Sequence, residues 1–334
     1  MSAMEKKEIA VVGGGSWATA IAKILLRNHN RLHWWVREPE ICESLRTEGR
    51  NPLYLQSVEF EPQCLHVSND IHEVLAAVQT VVLVVPAVHL QSALQGVSKE
   101  ELQGKTLCSA VKGIIPEHGQ VVCEYLRDTF GVDEADMAVI SGPSHAEEIA
   151  LNRLTYLTAA SVSEQTASYI ARCFACDYVR TRCSRDIYGI EYATVMKNVY
   201  ALSVGIAKGL GYGDNFVAVL VSNALDEMKH LLEAISPEER NILTAPYAGD
   251  LLVTSYSQFS RNRTFGNMIG QGYSAQSAIL EMKMVPEGYY AAGNMQPIQQ
   301  KWKISMPIFE IVHDILYGGA SPRPSFKKLE NLFK

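Results

Sequence analysis

The stretch Ile9-Ala-Val-Val-Gly-Gly-Gly-Ser-Trp-Ala18 decides the fold class. Its four apolar residues without polar alternation are typical of a strand buried on both faces, and an amphipathic helical pattern follows. Between strand and helix, Gly13-x-Gly15-x-x-Ala18 matches the dinucleotide-binding fingerprint in the context that it requires. Glycines there allow a tight turn and close backbone approach to a pyrophosphate, and the helix N-terminus supplies amide donors. Gly13 and Gly15 are therefore predicted to bind a dinucleotide cofactor.

Outward from this stretch, the first half of the chain alternates apolar runs with amphipathic segments. Strands are predicted at residues 9–12, 32–36, 81–85, 106–111, 137–140, 156–162 and 178–183. Helical patterns lie between them, at 17–28, 88–97 and 120–130 among others. Strand and helix repeated in this way imply right-handed crossovers. We expect an α/β fold whose N-terminal part is a Rossmann-type, doubly wound, mostly parallel sheet.

The hydrophobic period changes near residue 186. Long helices are predicted at 187–210 and 216–235, and the later segments 249–256, 261–270, 274–282 and 307–317 are helical or loop-like. The sequence thus predicts a dinucleotide-binding domain over residues 1–188 and an all-helical substrate-binding and catalytic domain over residues 189–334.

Composition excludes several classes of protein. Among 334 residues, 36 Asp and Glu stand against 30 Lys and Arg, and a net charge of −6 is unfavourable for holding a nucleic-acid backbone. No apolar stretch approaches the roughly 20 residues of a membrane span. The seven cysteines form no paired framework or metal-ligand set, so neither disulfides nor a metal site is expected. The N-terminus lacks a signal-peptide pattern, which predicts a cytoplasmic protein.

Several polar residues follow predicted strands, at the edge where open parallel sheets bind ligands. Arg37 and Glu38 follow the second strand: the arginine suits a 2′-phosphate or the adenine face, and the glutamate suits a 2′-hydroxyl, so both NAD and NADP remain open. Lys112 follows the strand at 106–111, and the Ser-Gly-Pro-Ser turn at 141–144 leads into a helix. These positions predict contacts to a small, oxygen-rich ligand.

The most informative polar pair, Lys197-Asn198, lies within an apolar helix, where an ammonium is costly to bury without a partner. Thr194 and Asn198 share a helix face, and Gly205 on the same face has no side chain to fill the space above it. A polar furrow with room for a ligand is therefore predicted. Asp250 and Thr254 share another face at i, i+4, where the carboxylate suits an ammonium.

The segment Ser260-Arg-Asn-Arg263 has the pattern of an N-cap and a first helical turn. Cations there oppose the helix dipole unless an anion binds the amides and arginines together. This pattern predicts a phosphate site.

Together these motifs resemble the bacterial-type NAD(P)-dependent glycerol-3-phosphate dehydrogenases over nearly the whole chain. The resemblance rests on Gly13-x-Gly15-Ser16-Trp17-Ala18-Thr19-Ala20, Ser109-Ala-Val-Lys112-Gly113, Ser141-Gly-Pro-Ser144-His-Ala146, Leu210-Gly-Tyr-Gly213-Asp214-Asn215, Ser260-Arg-Asn-Arg263-x-Phe265-Gly266 and Val285-Pro-Glu287-Gly288.

The resemblance implies reversible reduction of dihydroxyacetone phosphate by NADH or NADPH, giving sn-glycerol 3-phosphate for phospholipid synthesis, and a possible homodimer. It implies that Lys197 is the general acid and base, in a catalytic set with Asn198, Asp250 and Thr254. The implied substrate contacts are Lys112, Gly142, Ser144, Lys197, Asp250, Ser260, Arg261 and Asn262, of which Arg261 and Asn262 hold the phosphate. The implied cofactor contacts, besides the glycines, are Ser16, Trp17, Arg37, Lys112, Ala146, Arg261, Val285 and Glu287.

Two alternatives are open at this point. A related two-domain dehydrogenase of a hydroxy acid or sugar acid would keep the fingerprint and Lys197, but has no need for the Ser-Arg-Asn-Arg segment. A cofactor-sensing module without catalysis would keep Gly13 and Gly15, but would not need a lysine inside an apolar helix.

Overall fold

A computed structural model describes residues 8–282 and 285–333. The chain divides into two compact units. The first consists of the part up to Val111 and the segment Val122–Ile187, and the second consists of the loop Lys112–Val121 and the residues from Tyr188 on. The main division lies one residue from the predicted boundary at 188. The loop Lys112–Val121 belongs to the second unit, although the sequence assigned it to the first domain.

The first unit is built on one eight-stranded sheet. Its strands are β1 (Ile9–Val12), β2 (Leu32–Trp35), β3 (Leu65–Ser68), β4 (Thr80–Leu83), β5 (Thr106–Ser109), β6 (Met137–Ser141), β7 (Thr155–Ala160) and β8 (Val179–Ser184). Their order is β3-β2-β1-β4-β5-β6-β7-β8, and all neighbours are parallel except β6 and β7. The predicted Rossmann-type, mostly parallel sheet is confirmed.

Strand β3 is the one that the sequence reading did not predict. It pairs with β2 alone, at the sheet edge, in the register Leu32 with Leu65 and Trp34 with Val67. Leu65 is only partly buried and His66 is exposed. An edge strand of this kind lacks the continuous apolar run by which the inner strands are recognised.

Eight α-helices among the described residues of the first unit accompany the sheet. They are α1 (Ser16–Leu25), α2 (Pro39–Thr47), α3 (Ile71–Ala76), α4 (Ala87–Ala93), α5 (Lys99–Leu102), α6 (Val122–Tyr125), α7 (Ala146–Ala150) and α8 (Glu164–Phe174). Helix α4 is shorter than the predicted 88–97, since Gly96 adopts the left-handed conformation (φ 83°) soon after it. In α1, Ala18, Ile21 and Leu25 are fully buried in the core that also contains Trp34. The first turn of α1 is thereby fixed at the end of β1.

The described residues of the second unit form helices and loops, which confirms the predicted helical domain. The helices are α9 (Ile187–Gly209), α10 (Asp214–Ile235), α11 (Asp250–Tyr256), α12 (Arg261–Gly270), α13 (Ala275–Met282), α14 (Glu287–Trp302), α15 (Pro307–Leu316) and α16 (Pro322–Leu332). No helix of the described residues is long and apolar enough to cross a membrane. Residues 8–282 and 285–333 also contain no cluster of three or more potential metal ligands.

Helices α9 and α12 cross at glycines, which corrects the predicted ligand furrow. A β-carbon on Gly205 would collide with the carbonyl oxygen of Arg263, and one on Gly209 with that of Asn267. Gly266 and Gly270 meet the backbone of α9 in the same way. Gly205 therefore makes room for a neighbouring helix and not for a ligand, because the two backbones are in direct contact.

Candidate active site

The glycine turn of the first unit has the shape that a dinucleotide pyrophosphate requires. Gly13 has φ 138°, and a β-carbon there would lie 2.7 Å from the carbonyl oxygen of Val84. Gly15 is the N-cap of α1 without a side-chain capping bond, no acidic residue lies in the first turn, and a β-carbon on Gly15 would meet nothing within 4 Å. An open helix N-terminus without a capping anion suits a bound phosphate, so the residues present fit the predicted cofactor.

Three side chains hold the carbonyl oxygens of this turn. The indole Nε1 of Trp34 donates to Gly13 O (2.7 Å), and the amide Nδ2 of Asn51 donates to Gly14 O (2.9 Å). Thr19 Oγ1 donates to Gly15 O (3.0 Å). The sequence reading missed Trp34 and Asn51, because neither an indole in an apolar strand nor an asparagine in a polar loop has a local signature.

The other predicted cofactor residues of the first unit are in α1 (Ser16 and Trp17), after β2 (Arg37) and at the start of α7 (Ala146). Trp17 directs its Nε1–H to Ala110 O at 3.2 Å. Arg37 forms a two-pronged ion pair with Glu38, with distances of 3.0 and 2.6 Å to Oε1. Glu38 Oε2 also lies 3.4 Å from the position of a β-carbon on Gly14. The arginine charge is thus already paired beside the glycine turn.

The Ser-Gly-Pro-Ser turn closes on itself after β6. Gly142 has φ 133°, and a β-carbon there would lie 2.5 Å from Tyr156 O. Ser144 is buried, and its Oγ donates to Gly142 O at 2.8 Å. Ala146 begins α7 directly afterwards. Only glycine fits the backbone at 142, and the serine hydroxyl sets the turn that precedes the helix.

In the second unit, Lys197 on α9 forms a buried ion pair with Asp250 on α11. The two residues are only 3% and 1% exposed. Burial, together with a smaller effect of the nearby charge of Lys112, lowers the pKa of Lys197 to about 8 against the opposing effect of Asp250. An ammonium with this pKa can release its proton to a neighbouring oxyanion far more readily than an ordinary lysine.

The start of α11 explains how Asp250 reaches this position. A π-helical turn, Ala245–Gly249, precedes the helix, and Asp250 continues it without a break. Thr254, also buried, donates its hydroxyl to the carbonyl oxygen of Asp250 at 2.7 Å. The side chains of both residues face the interior, as their i, i+4 spacing predicts.

A relay of side-chain amides joins four segments of the second unit. Asn198 Nδ2 lies 3.4 Å from Lys112 O and 3.3 Å from Thr194 O, and its Oδ1 accepts from Asn262 Nδ2 (2.8 Å). Asn262 Oδ1 in turn accepts from Gly288 N (2.9 Å). The relay therefore ties the loop that begins at Lys112 to α9, α12 and α14.

The beginning of α12 is organised as the sequence predicts. Ser260 is its N-cap, and its hydroxyl accepts from Arg263 N. Arg261 is the exposed first residue of the helix. Burial raises the pKa of Glu287 at the start of α14, while the charges of Arg261, Lys112 and Lys197 act in the opposite direction. Three cations of this unit are thus close enough to Glu287 to favour its charged form.

The predicted site residues divide between the two units. The first unit contains Gly13, Gly15, Ser16, Trp17, Arg37, Gly142, Ser144 and Ala146. The second contains Lys112, Lys197, Asn198, Asp250, Thr254, Ser260, Arg261, Asn262, Val285 and Glu287. Within the second unit, most of these belong to the ion pair, the amide relay or the start of α12, whereas Val285 is half-buried just before α14.

Comparisons with known proteins place the chain in a family. Residues 8–167 match the family model for the NAD-dependent glycerol-3-phosphate dehydrogenase N-terminus, and residues 186–327 match the corresponding C-terminus. The glycerol-3-phosphate dehydrogenase (NAD(P)+) 2 of Salinibacter ruber is 36% identical over 322 residues, covering 96% of this chain and 93% of that protein. The glycerol-3-phosphate dehydrogenase (NAD(P)+) of Chlorobium limicola is 33% identical over 312 residues, covering 93% of each.

The fold agrees with these relatives. The crystal structure of glycerol-3-phosphate dehydrogenase from Coxiella burnetii superposes with a TM-score of 0.90 at 29% identity, covering 97% of this chain and 98% of that one. Sequence and structure therefore agree over nearly the whole length. The chain belongs to the NAD(P)-dependent glycerol-3-phosphate dehydrogenases, a family of oxidoreductases, as its motifs predict.

Proposed function

We propose that this chain reduces dihydroxyacetone phosphate to sn-glycerol 3-phosphate, reversibly and with NADH or NADPH, and thereby supplies glycerophospholipid synthesis. The observation that supports this most is the buried Lys197–Asp250 pair, in the same unit as Arg261 at the start of α12. The related glycerol-3-phosphate dehydrogenases, which use NAD(P)+, support the proposed substrate pair and cofactors. A cytoplasmic location and a homodimer remain predictions, and light scattering by the purified chain tests the latter.

The proposed chemistry assigns the proton step to Lys197. The reduced nicotinamide supplies a hydride to the ketone carbon when it is bound. The ketone oxygen gains negative charge, and the ammonium of Lys197 stabilises it and gives it a proton. Asp250 keeps the ammonium charged before the reaction, because burial alone would favour the neutral amine. Lys112, which is close enough to lower the pKa of Lys197, adds a second positive charge.

The proposed phosphate site is the beginning of α12. The first N–H groups of a helix have no acceptor within the helix, and together with a guanidinium they form a strong site for a phosphate. Arg261 occupies the first helical position after the Ser260 cap. The amide of Asn262 holds Asn198 and Gly288, so its contribution to the substrate is proposed to come through the backbone and the relay.

The function is tested by a substrate panel. NADH and NADPH oxidation are measured with dihydroxyacetone phosphate, with unphosphorylated dihydroxyacetone and with a set of keto acids. We expect oxidation with the phosphorylated ketone and little with the others. Turnover of a keto acid without phosphate would favour the hydroxy-acid or sugar-acid dehydrogenase instead, and no turnover at all would favour a cofactor-sensing module.

Replacing Arg261 with alanine is expected to affect the phosphorylated substrate selectively. Losing charge-assisted hydrogen bonds to a phosphate costs about 1.5–3 kcal/mol, so KM for dihydroxyacetone phosphate is expected to rise about 10- to 100-fold. The activity with unphosphorylated dihydroxyacetone, already weak, is expected to change little. The matched control is Arg240→Ala, an arginine in the 236–241 loop. Equal losses for the two ketones would contradict the phosphate role.

The pKa of Lys197 predicts opposite pH profiles for the two directions. Reduction needs the ammonium, so kcat/KM for reduction, which reports the free enzyme, is expected to be constant below about pH 8 and to fall about tenfold per unit above it. Oxidation needs the neutral amine, so its kcat/KM is expected to rise up to about pH 8 and then level off. Steady-state rates from about pH 6 to about pH 11 measure both limbs. If the reduction rate begins to fall only near the ordinary lysine pKa of about 10.4, burial does not lower the pKa of Lys197.

A further inference from the structure

We propose that Trp34 and Asn51 are positioning residues for the cofactor, because they orient the peptide groups of the glycine turn toward its pyrophosphate. The inference rests on the proposed function, since it concerns the same dinucleotide site. Neither residue belongs to the glycine fingerprint. Trp34 lies in β2, and Asn51 lies in the loop after α2.

The three consecutive carbonyl groups of the turn are all held by side chains. Gly13 O accepts from the indole of Trp34, and Gly14 O accepts from the amide of Asn51. Gly15 O accepts from both the hydroxyl and the backbone N–H of Thr19. These donors belong to buried side chains, since Trp34, Asn51 and Thr19 are all 0% exposed. Each carbonyl oxygen of the turn is therefore directed into the protein.

The direction of the carbonyl groups fixes the direction of the amides. In a trans peptide, the C=O of one residue and the N–H of the next point in opposite ways. The carbonyl groups of Gly13, Gly14 and Gly15 are held inward. The N–H group of the residue that follows each of these glycines therefore points outward. The side of Gly15 where a β-carbon would stand is open, with nothing within 4 Å. Successive outward N–H groups at a helix start form a concave site for an anion.

Asn51 is itself fixed in one orientation. Its Oδ1 accepts from the backbone N–H groups of Leu53 and Tyr54, both at 3.1 Å. Its Nδ2 donates to Thr19 Oγ1 (3.0 Å) as well as to Gly14 O. The amide therefore has four partners and cannot rotate without losing them. A donor held this firmly keeps the Gly14 peptide in place before any ligand arrives, which removes part of the ordering cost of binding.

Trp34 has a neighbour that serves as a matched control. Trp35 follows it in β2, is also buried, and donates its Nε1–H to Asn69 O at 3.1 Å, outside the glycine turn. Trp34→Phe and Trp35→Phe each remove one buried indole donor from a backbone carbonyl. The carbonyl of Gly13 belongs to the glycine turn and that of the exposed Asn69 does not, so only the first change should alter the turn.

The experiment compares the wild type with Trp34→Phe, Trp35→Phe and Asn51→Leu. The dissociation constants of ADP-ribose, which contains the pyrophosphate, and of adenosine, which does not, are measured together with thermal unfolding midpoints. KM for NADH or NADPH and kcat at saturating cofactor are measured on the same proteins. For Trp34→Phe and Asn51→Leu we expect the dissociation constant of ADP-ribose to rise about tenfold, because one carbonyl group of the turn loses its hydrogen-bond donor. The dissociation constant of adenosine is expected to stay unchanged. The cofactor KM should rise with kcat retained.

The outcomes separate the inference from the function on which it rests. Native ADP-ribose affinity in Trp34→Phe and Asn51→Leu would overturn the positioning role while leaving the dinucleotide function intact. Equal weakening of ADP-ribose and adenosine, or an equal effect of Trp35→Phe, would also overturn it, because the change would then be one of general stability. A wild type that binds no ADP-ribose would overturn the proposed function and this inference with it. If Asn51→Leu does not fold, the two tryptophan variants decide the question.

Discussion

Lys197→Ala is expected to lower kcat for the reduction by at least about a thousandfold, since a positioned general acid contributes about 10²–10⁴ and stabilisation of the developing oxyanion adds to this. The substitution removes the proton donor and the positive charge at the reacting oxygen in one step. Initial rates of NADH and NADPH oxidation at saturating dihydroxyacetone phosphate measure the loss.

Cofactor binding is expected to persist in Lys197→Ala, because the glycine turn belongs to the first unit and contains no group of α9. Lys208→Ala is the matched control: this lysine is on the same helix but is paired with Asp214 near the surface. Its kcat should equal that of the wild type. Retained turnover in Lys197→Ala would remove this residue from the catalytic role.

Asp250→Asn is expected to move the pH profile as well as the rate. The substitution leaves a buried ammonium without its carboxylate, which costs about 3–5 kcal/mol in buried pairs. Lys197 avoids part of this cost by losing its proton, so its pKa falls below 8. We expect the reduction rate at pH 7 to fall about tenfold, which requires a pKa about two units lower and is within the cost of the unpaired charge, and its alkaline limb to move to lower pH.

The pH dependence of Asp250→Asn separates this effect from a loss of folding. Asp214→Asn removes the carboxylate from an exposed pair and should leave the limb near pH 8, since such pairs contribute little. Rates and unfolding midpoints are measured on the same preparations. A limb that stays near pH 8 in Asp250→Asn would mean that another group controls the charge of Lys197.

The sequence predicted the parts of the fold that depend on local pattern. The turn at Gly13 follows from a strand, a glycine fingerprint and a helix that are contiguous, and Lys197 was found because a charge inside an apolar helix requires a partner. Its partner Asp250 was identified from spacing and resemblance. The value of the pKa required the structure, because burial depends on helices that pack around α9 from other parts of the chain.

Features made by residues distant in sequence were not predictable in the same way. Gly205 was interpreted as room for a ligand, and only the position of Gly266 shows that it accommodates a helix backbone. Asn51 carries no local sign that its amide faces Gly14. Asn262 is predicted to help to hold the substrate phosphate, and its side-chain amide is bonded to Asn198 and Gly288, so a contact to the phosphate would come from its backbone N–H.

The glycine crossing of α9 and α12 fixes the distance between the two helices that carry proposed substrate contacts. Helix α9 carries the proposed proton donor Lys197, and α12 carries the proposed phosphate ligand Arg261, so the distance between these two side chains depends on the point where the helix backbones touch. Because no side chain lies between Gly205 and Gly266, the two helix backbones are as close as they can be. No side chain at this point can adjust to a change in the helix separation. A methyl group at either glycine would lengthen the interval between acid and anion, and we expect it to shift preference among phosphorylated ketones of different chain length. If the proposed roles of Lys197 and Arg261 hold, substrate size depends on two glycines that are not among the proposed substrate contacts.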